Sequence, residues 1–208
     1  PAYSEWYPDG MLKIERWYVD HDRHRTDGPA YLSWNPDGTL AGESWYTEGK
    51  FHRTDGPARC LWYVNGMLYN EYWYLNGKQH RIDGPACQIW GNPDGTLCAE
   101  YWYLNGKQHR IDGPACQNWN PDGTLLYEDW RMNGKQHRTD GPAYKSWLPN
   151  RTLFNEDWYV DGKKTSRRMI VLERARAKVL RSSRLLILAN AVQCVSPDSL
   201  SAIGGFLK

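Results

Sequence analysis

Aromatic residues recur along this chain on one lattice, with polar turn residues between them. One series is Trp6, Trp34, Trp62, Trp90, Trp119 and Trp147. A second, interleaved with it, is Trp17, Trp45, Trp73, Trp102, Trp130 and Trp158, and together they account for all twelve tryptophans. The step within each series is 28 residues, except for one of 29 where Gly91 is inserted. A fixed period of that size marks stacked repeats, each burying its apolar face only against its neighbours.

Aligned on the lattice, the unit reads PA-x-x-x-W, a turn, a Leu, E-x-W-Y, a second turn and H-R-x-D-G, which runs into the next PA. Six units start at Pro1, Pro29, Pro57, Pro85, Pro114 and Pro142. The first turn carries pairs such as Asp9-Gly10, Asp37-Gly38, Asn65-Gly66, Asp94-Gly95 and Asp122-Gly123, the strongest short-range signal for a hairpin between aromatic segments. The second uses Glu48-Gly49, Asn76-Gly77, Asn105-Gly106, Asn133-Gly134 and Asp161-Gly162, so the chain reverses again before the next unit. The pattern predicts a mainly β fold, an elongated antiparallel meander of stacked hairpins over residues 1–163, advancing about 10 Å per two-stranded unit. Because Trp6 and Trp17 flank one hairpin turn, they are expected to meet across the strands and stack rung upon rung, a ladder replacing an aliphatic core.

The last part of the chain follows a different pattern. Beyond Tyr159 no Trp, Tyr or His occurs, and residues 164–208 hold nine Lys and Arg against Glu173 and Asp198, a net of +7 within an overall +2. Thr165-Ser166 read as N-cap residues, followed by a helical stretch from about Arg167 to Gln193 without Gly or Pro. Leu172, Ala175, Val179, Leu186 and Ala189 fall on one side of it and Arg174, Lys178 and Arg181 on another, so this tail reads as a basic amphipathic helix. Ser196-Pro197-Asp198 opens a second short helix. The tail is expected to cap the last hairpin, with Leu172, Val179 and Leu186 covered. Its uncharged run from Leu185 to Pro197 is too short to span a bilayer.

Composition agrees with an array: aromatics reach 14% while mean hydropathy stays low, as suits a thin sheet. The string Trp102-Tyr103-Leu104-Asn105-Gly106-Lys107-Gln108-His109, with its DG, W-x-x-DG and E-x-W-Y neighbours, resembles the MORN repeat. It is a variant of 28 residues in which HR-x-DGPA, as in His52-Arg53-Thr54-Asp55-Gly56-Pro57-Ala58, replaces the family's HG-x-G. Arrays with that signature resemble those encoded by giant double-stranded DNA viruses. The resemblance covers residues 1–163 and implies a β-meander with a scaffold role, without naming a partner.

Candidate chemistry is periodic as well. Five of six histidines, His24, His52, His80, His109 and His137, recur once per unit. At about 10 Å apart they cannot share a metal ion, so each is read as bonding backbone in the connection between hairpins. Glu15, Glu43, Glu71, Glu100 and Glu128 lie ten residues before Arg25, Arg53, Arg81, Arg110 and Arg138 and read as structural ion pairs. Identical residues in identical surroundings cannot supply the differently tuned carboxylates that acid–base catalysis needs. The Asp of each DGPA is read as shaping a turn. Cys60, Cys87, Cys98, Cys116 and Cys194 are odd in number with no C-x-x-C pair, and read as reduced packing residues of an intracellular protein. No secretory signal is evident.

The sequence therefore points to a non-enzymatic repeat scaffold with no cofactor and no metal, binding other proteins of an assembly. The viral resemblance narrows this to a minor structural component of a large viral particle, located in the virion or the host cytoplasm. Since Pro1-Ala2 is in phase with the HR-x-DG-PA junction, the chain reads as a piece of a longer array, with Tyr3 and Trp6 on a free edge strand open to a partner. The alternative is a peripheral binder of nucleic acid or anionic membrane through Arg174, Lys178 and Arg181.

Overall fold

The structure is a computed structural model that describes residues 3–193 except 92, with side chains described as far as residue 182. It is mainly β, an antiparallel meander of stacked hairpins followed, among the described residues, by one helix. Thirteen strands form the main sheet and lie in it in the order in which they occur along the chain. Each unit contributes two, from Tyr3–Trp6 with Leu12–Arg16 in the first unit to Tyr144–Trp147 with Leu153–Val160 in the sixth, and Lys163–Thr165 is the thirteenth.

The second turn does more than reverse the chain. In the first five units it closes a separate two-stranded hairpin of two residues per strand, such as Tyr74–Leu75 with Lys78–Gln79. Both central residues there are left-handed, for example Asn76 at φ 50° and Gly77 at φ 75°. That conformation suits the primed turn of a twisted two-residue hairpin, and Asn-Gly accepts it at least cost. In the first turn one residue is left-handed, a glycine in the first five units and Arg151 at φ 65° in the sixth, and Gly10 N–H bonds Tyr7 O while Tyr7 N–H bonds Met11 O. This is a tight turn followed by a glycine bulge.

That turn decides what the tryptophans meet. With Tyr7 bonded to Met11, the residue opposite Trp6 is Leu12, across a register shift at Glu5/Trp6, and the same shift recurs in each unit. Trp17 lies beyond the end of its strand. The expected stacking of Trp6 on Trp17 is therefore corrected: the two stand at different levels of the hairpin.

Nor do tryptophans form the core. The fully buried residues are the alanines of the PA motif, Ala30, Ala58, Ala86, Ala115 and Ala143, each at 0% exposure, joined by Cys60, Cys87 and Cys116. Each such carbonyl accepts the backbone N–H of the preceding unit's second-series tryptophan, as Trp73 N–H to Ala86 O at 2.7 Å. The buried methyl group marks where two units' backbones bond to each other.

The strand pairing also builds one continuous row across the sheet. Ser4, Glu15, Leu32, Glu43, Cys60, Glu71, Gln88, Glu100, Gln117, Glu128, Lys145 and Glu156 are successive cross-strand partners, so each unit's glutamate stands on the same line. Side chains alternate along a strand, so the next residue faces the other side. There Arg23 lies over the rings of Tyr31 and Tyr46, Tyr46 stacks on Phe51, and Phe51 on Tyr74.

One compact unit ends at Thr165 and a second begins at Ser166. The second contains the helix Arg167–Gln193, and Ser166 Oγ accepts the N–H of Met169 at 3.4 Å, an N-cap bond. The two-faced reading of this helix needs correction: Arg168 and Arg176 interrupt its apolar side. Among the described residues no helix is long and apolar enough to cross a membrane. The second short helix expected from Ser196, and Cys194, lie outside the described residues.

Candidate interaction surface

Every connection between units is held by one arginine. The guanidinium of Arg110 lies 3.9 Å above the ring of Trp102, its Nε donates to Asp112 Oδ1 at 3.1 Å, and its Nη1 donates to Pro114 O at 3.4 Å. The same Nη1 is 3.6 Å from Glu100 Oε1, which accepts the indole N–H of Trp102 at 3.4 Å. Arg53 and Arg81 repeat the whole set with Trp45 and Trp73. Arg25 lies 4.2 Å over Trp17 and bonds Asp27 and Pro29, while Arg138 lies 3.8 Å over Trp130. The partner of Trp17, Trp45, Trp73, Trp102 and Trp130 is thus a cation, an interaction worth about 0.5–2 kcal/mol depending on desolvation. The structural Glu–Arg pairs expected ten residues apart are present at Glu43–Arg53, Glu71–Arg81, Glu100–Arg110 and Glu128–Arg138.

This geometry explains the glycine of DGPA. A Cβ on Gly113 would lie 2.6 Å from Arg110 Cζ, and one on Gly84 2.7 Å from Arg81 Cζ. Glycine is needed so that the guanidinium can lie flat on the indole. The neighbouring arginine in turn holds the carboxyls of Asp27, Asp55, Asp83 and Asp112 below the usual range, chiefly through the Nε–H bond.

The histidines bond backbone, each reaching one unit ahead. Nδ1 of His24, His52, His80 and His109 accepts the N–H of Glu48, Asn76, Asn105 and Asn133, at 3.1–3.2 Å. Nδ1 then carries no proton, and the side-chain amide of Asn76, 2.8 Å away, presents its NH2 to it. At His137 the same backbone bond recurs, from Asp161 N–H at 3.2 Å, with Asp161 Oδ1 2.8 Å from the same Nδ1. Among the described residues no three His, Cys, Asp or Glu side chains converge as metal ligands. Burial pushes the Cys60, Cys87 and Cys116 thiols up to about 12.

Of the residues singled out from sequence, Tyr3 and Trp6 lie on the first strand of the sheet, 44% and 58% exposed. Tyr3 is not bare, since Arg16 lies 5.0 Å from its ring centroid. Arg174, Lys178 and Arg181 are exposed on the helix, in the other compact unit. What sequence reasoning passed over is the outer wall of the connections. The residue between Arg and Asp projects into solvent, and at Ile82 and Ile111 it is apolar, where other units carry Thr26, Thr54 and Thr139.

No protein-family model matches the chain, and no curated protein matches it. What the surface can do is therefore argued from its chemistry. Its charged and hydrogen-bonding groups are engaged in holding rung to rung, and its outward features are shape, exposed isoleucine and paired charge.

Proposed function

We propose that this chain is a non-enzymatic repeat scaffold of MORN-like type, whose ribbon presents a regular face to other proteins of an assembly. The observation that carries this reading is the recurrence of one Trp–Arg–Glu–Asp arrangement along the array. Its groups stabilise each other in near-identical settings, whereas catalysis requires groups whose environments differ. With the HR-x-DGPA resemblance, the specific form of the proposal is a minor structural component of a large viral particle, in the virion or host cytoplasm. Crosslinking of the full chain in its native particle or cell extract, read by mass spectrometry, tests it. Crosslinks from the Trp–Arg face or from the Tyr3–Trp6 strand to a defined structural protein are expected; turnover of a small molecule by the isolated chain would defeat the reading.

A second reading rests on the helix, where Arg174, Lys178 and Arg181 are exposed together with Val179 and Leu180, both at 64%. Such a surface suits nucleic acid or an anionic bilayer. Replacing the three basic residues by Ser should abolish salt-sensitive binding to DNA or to phosphatidylserine vesicles; binding that survives the replacement excludes it.

A further inference from the structure

Three grooves of one kind follow one another along the Trp–Arg side of the array, of about 420 Å3 at Trp73, about 490 Å3 at Trp102 and about 380 Å3 at Trp130. Each is walled by two successive Arg-x-Asp connections, so neighbouring grooves share a wall. On both walls of the middle groove the projecting residue is isoleucine, and Ile82 at 82% and Ile111 at 79% are the most exposed large apolar side chains among the described residues.

We propose that this face packs against the same face of a second copy of the chain about a twofold axis, projecting residues into grooves, with Ile111 of each copy seated in the Trp102 groove of the other. The inference rests on the scaffold reading and names the partner of that surface. Four observations carry it. Two main-sheet strands per unit set the walls about 10 Å apart, and a second copy presents projections at the same spacing, so the fit is kept over all three grooves. The apolar projections flank one groove, and a twofold axis a quarter-step from its centre seats Ile111 of each copy between Ile82 and Ile111 of the other, as a self-complementary interface requires. Each wall carries its own Arg–Asp pair, such as Arg81–Asp83 and Arg110–Asp112, so two copies meet without net repulsion. A strip three groove-steps long and about 20 Å wide offers about 600 Å2 per copy, the low end of a specific interface.

The same grooves do not suit a ligand that stacks on aromatic rings, such as a proline-rich segment. Arg110 covers a face of Trp102 and Glu100 accepts its indole N–H, so the groove offers neither the open ring nor the donor that such recognition uses.

Sedimentation equilibrium of the full chain tests the proposal. The unaltered protein is expected to dimerise with a dissociation constant of roughly micromolar order. Ile82→Thr/Ile111→Thr installs the residue that other units carry, preserves the fold by circular dichroism, and should weaken dimerisation at least about tenfold. A photo-crosslinker at position 111 should label the region of residue 82 in the other copy. A wild type that stays monomeric, a dimer indifferent to the double substitution, or a crosslink outside this face overturns self-pairing. If the monomeric wild type nevertheless crosslinks through this face to a structural protein and the double variant does not, self-pairing fails while the scaffold reading stands.

Discussion

Lys145 Nζ lies 3.2 Å from Glu128 Oε1, and the indole N–H of Trp130 beside this pair is buried without an acceptor. In other units the tryptophan at this position donates to its glutamate, as Trp73 to Glu71 at 3.1 Å and Trp102 to Glu100 at 3.4 Å. The difference lies in the opposing strand. Where Glu100 faces Gln117, Glu128 faces Lys145, and the ammonium takes the carboxylate.

Lys145→Gln should therefore return Glu128 to Trp130. An unsatisfied buried donor costs about 1–3 kcal/mol, while for a pair as largely buried as Lys145–Glu128, at 27% and 14% exposure, desolvation offsets much of the attraction. The variant is expected to gain about 1 kcal/mol in urea unfolding, with protection of the Trp130 indole proton against exchange. A loss of stability would show that the ion pair dominates.

The glycine of DGPA yields a prediction opposite in sign to the usual one. Gly→Ala at a compatible backbone normally stabilises through the unfolded chain. At Gly113, whose added Cβ would meet Arg110 Cζ at 2.6 Å, the guanidinium must leave Trp102. Gly113→Ala is expected to cost about 1–2 kcal/mol, close to the cost of Arg110→Ala. In the Arg110→Ala background the same change should be neutral or stabilising, so the double-mutant cycle should show strong coupling. Additive effects would refute the close approach as the reason for glycine.

Acid should loosen the connections. Asp27, Asp55, Asp83 and Asp112 have lowered native pKa values, so their contribution is fully present above the ordinary carboxylate value of about 3.9 and is lost as pH falls through the lowered values. Asp129 runs the other way: burial raises its pKa in spite of Arg131, so it favours folding most at low pH and less as pH rises past its ordinary value. Asp37, Asp94, Asp122 and Asp157 are lowered as well, so the lowered groups outnumber the raised one and the thermal midpoint should fall below about pH 4. Replacing the four connection aspartates by Asn should reduce that dependence.

Much of the fold was legible because its signals are local. Period, turn residues and the ten-residue Glu–Arg spacing all act within or between adjacent units, and the helix start at Arg167 follows from Ser166 as its cap. The partner of each tryptophan was not legible in the same way, because it depends on how many residues the first turn consumes. Closure of Tyr7 on Met11 places Leu12, not Trp17, opposite Trp6. Ile82 and Ile111 differ from Thr54 by one residue type in a repeated motif, and only their exposure on adjoining walls gives that difference meaning.

The fifth unit breaks its own pattern at Asp129 and Arg131, which stand where the fourth carries Tyr101 and Tyr103. Arg131 Nε donates to Asp129 Oδ2 at 2.7 Å and Gln136 Nε2 to Asp129 Oδ1 at 3.1 Å, with the Asp129 side chain 7% exposed. Desolvating such a pair offsets much of its attraction, so breaking it and replacing it have opposite consequences. Arg131→Ala leaves a buried carboxylate with only Gln136 and should cost about 3 kcal/mol, reduced somewhat because Arg131 is itself 31% exposed. Asp129→Tyr/Arg131→Tyr restores the aromatic pair of the preceding unit and is expected to be neutral or stabilising by about 1 kcal/mol or more. Hydrogen exchange should place both effects in the fifth unit and its neighbours, since each repeat is stabilised mainly by those it touches. A double variant less stable than Arg131→Ala alone would mean that this ion pair holds the fifth unit better than the aromatic pair it replaces.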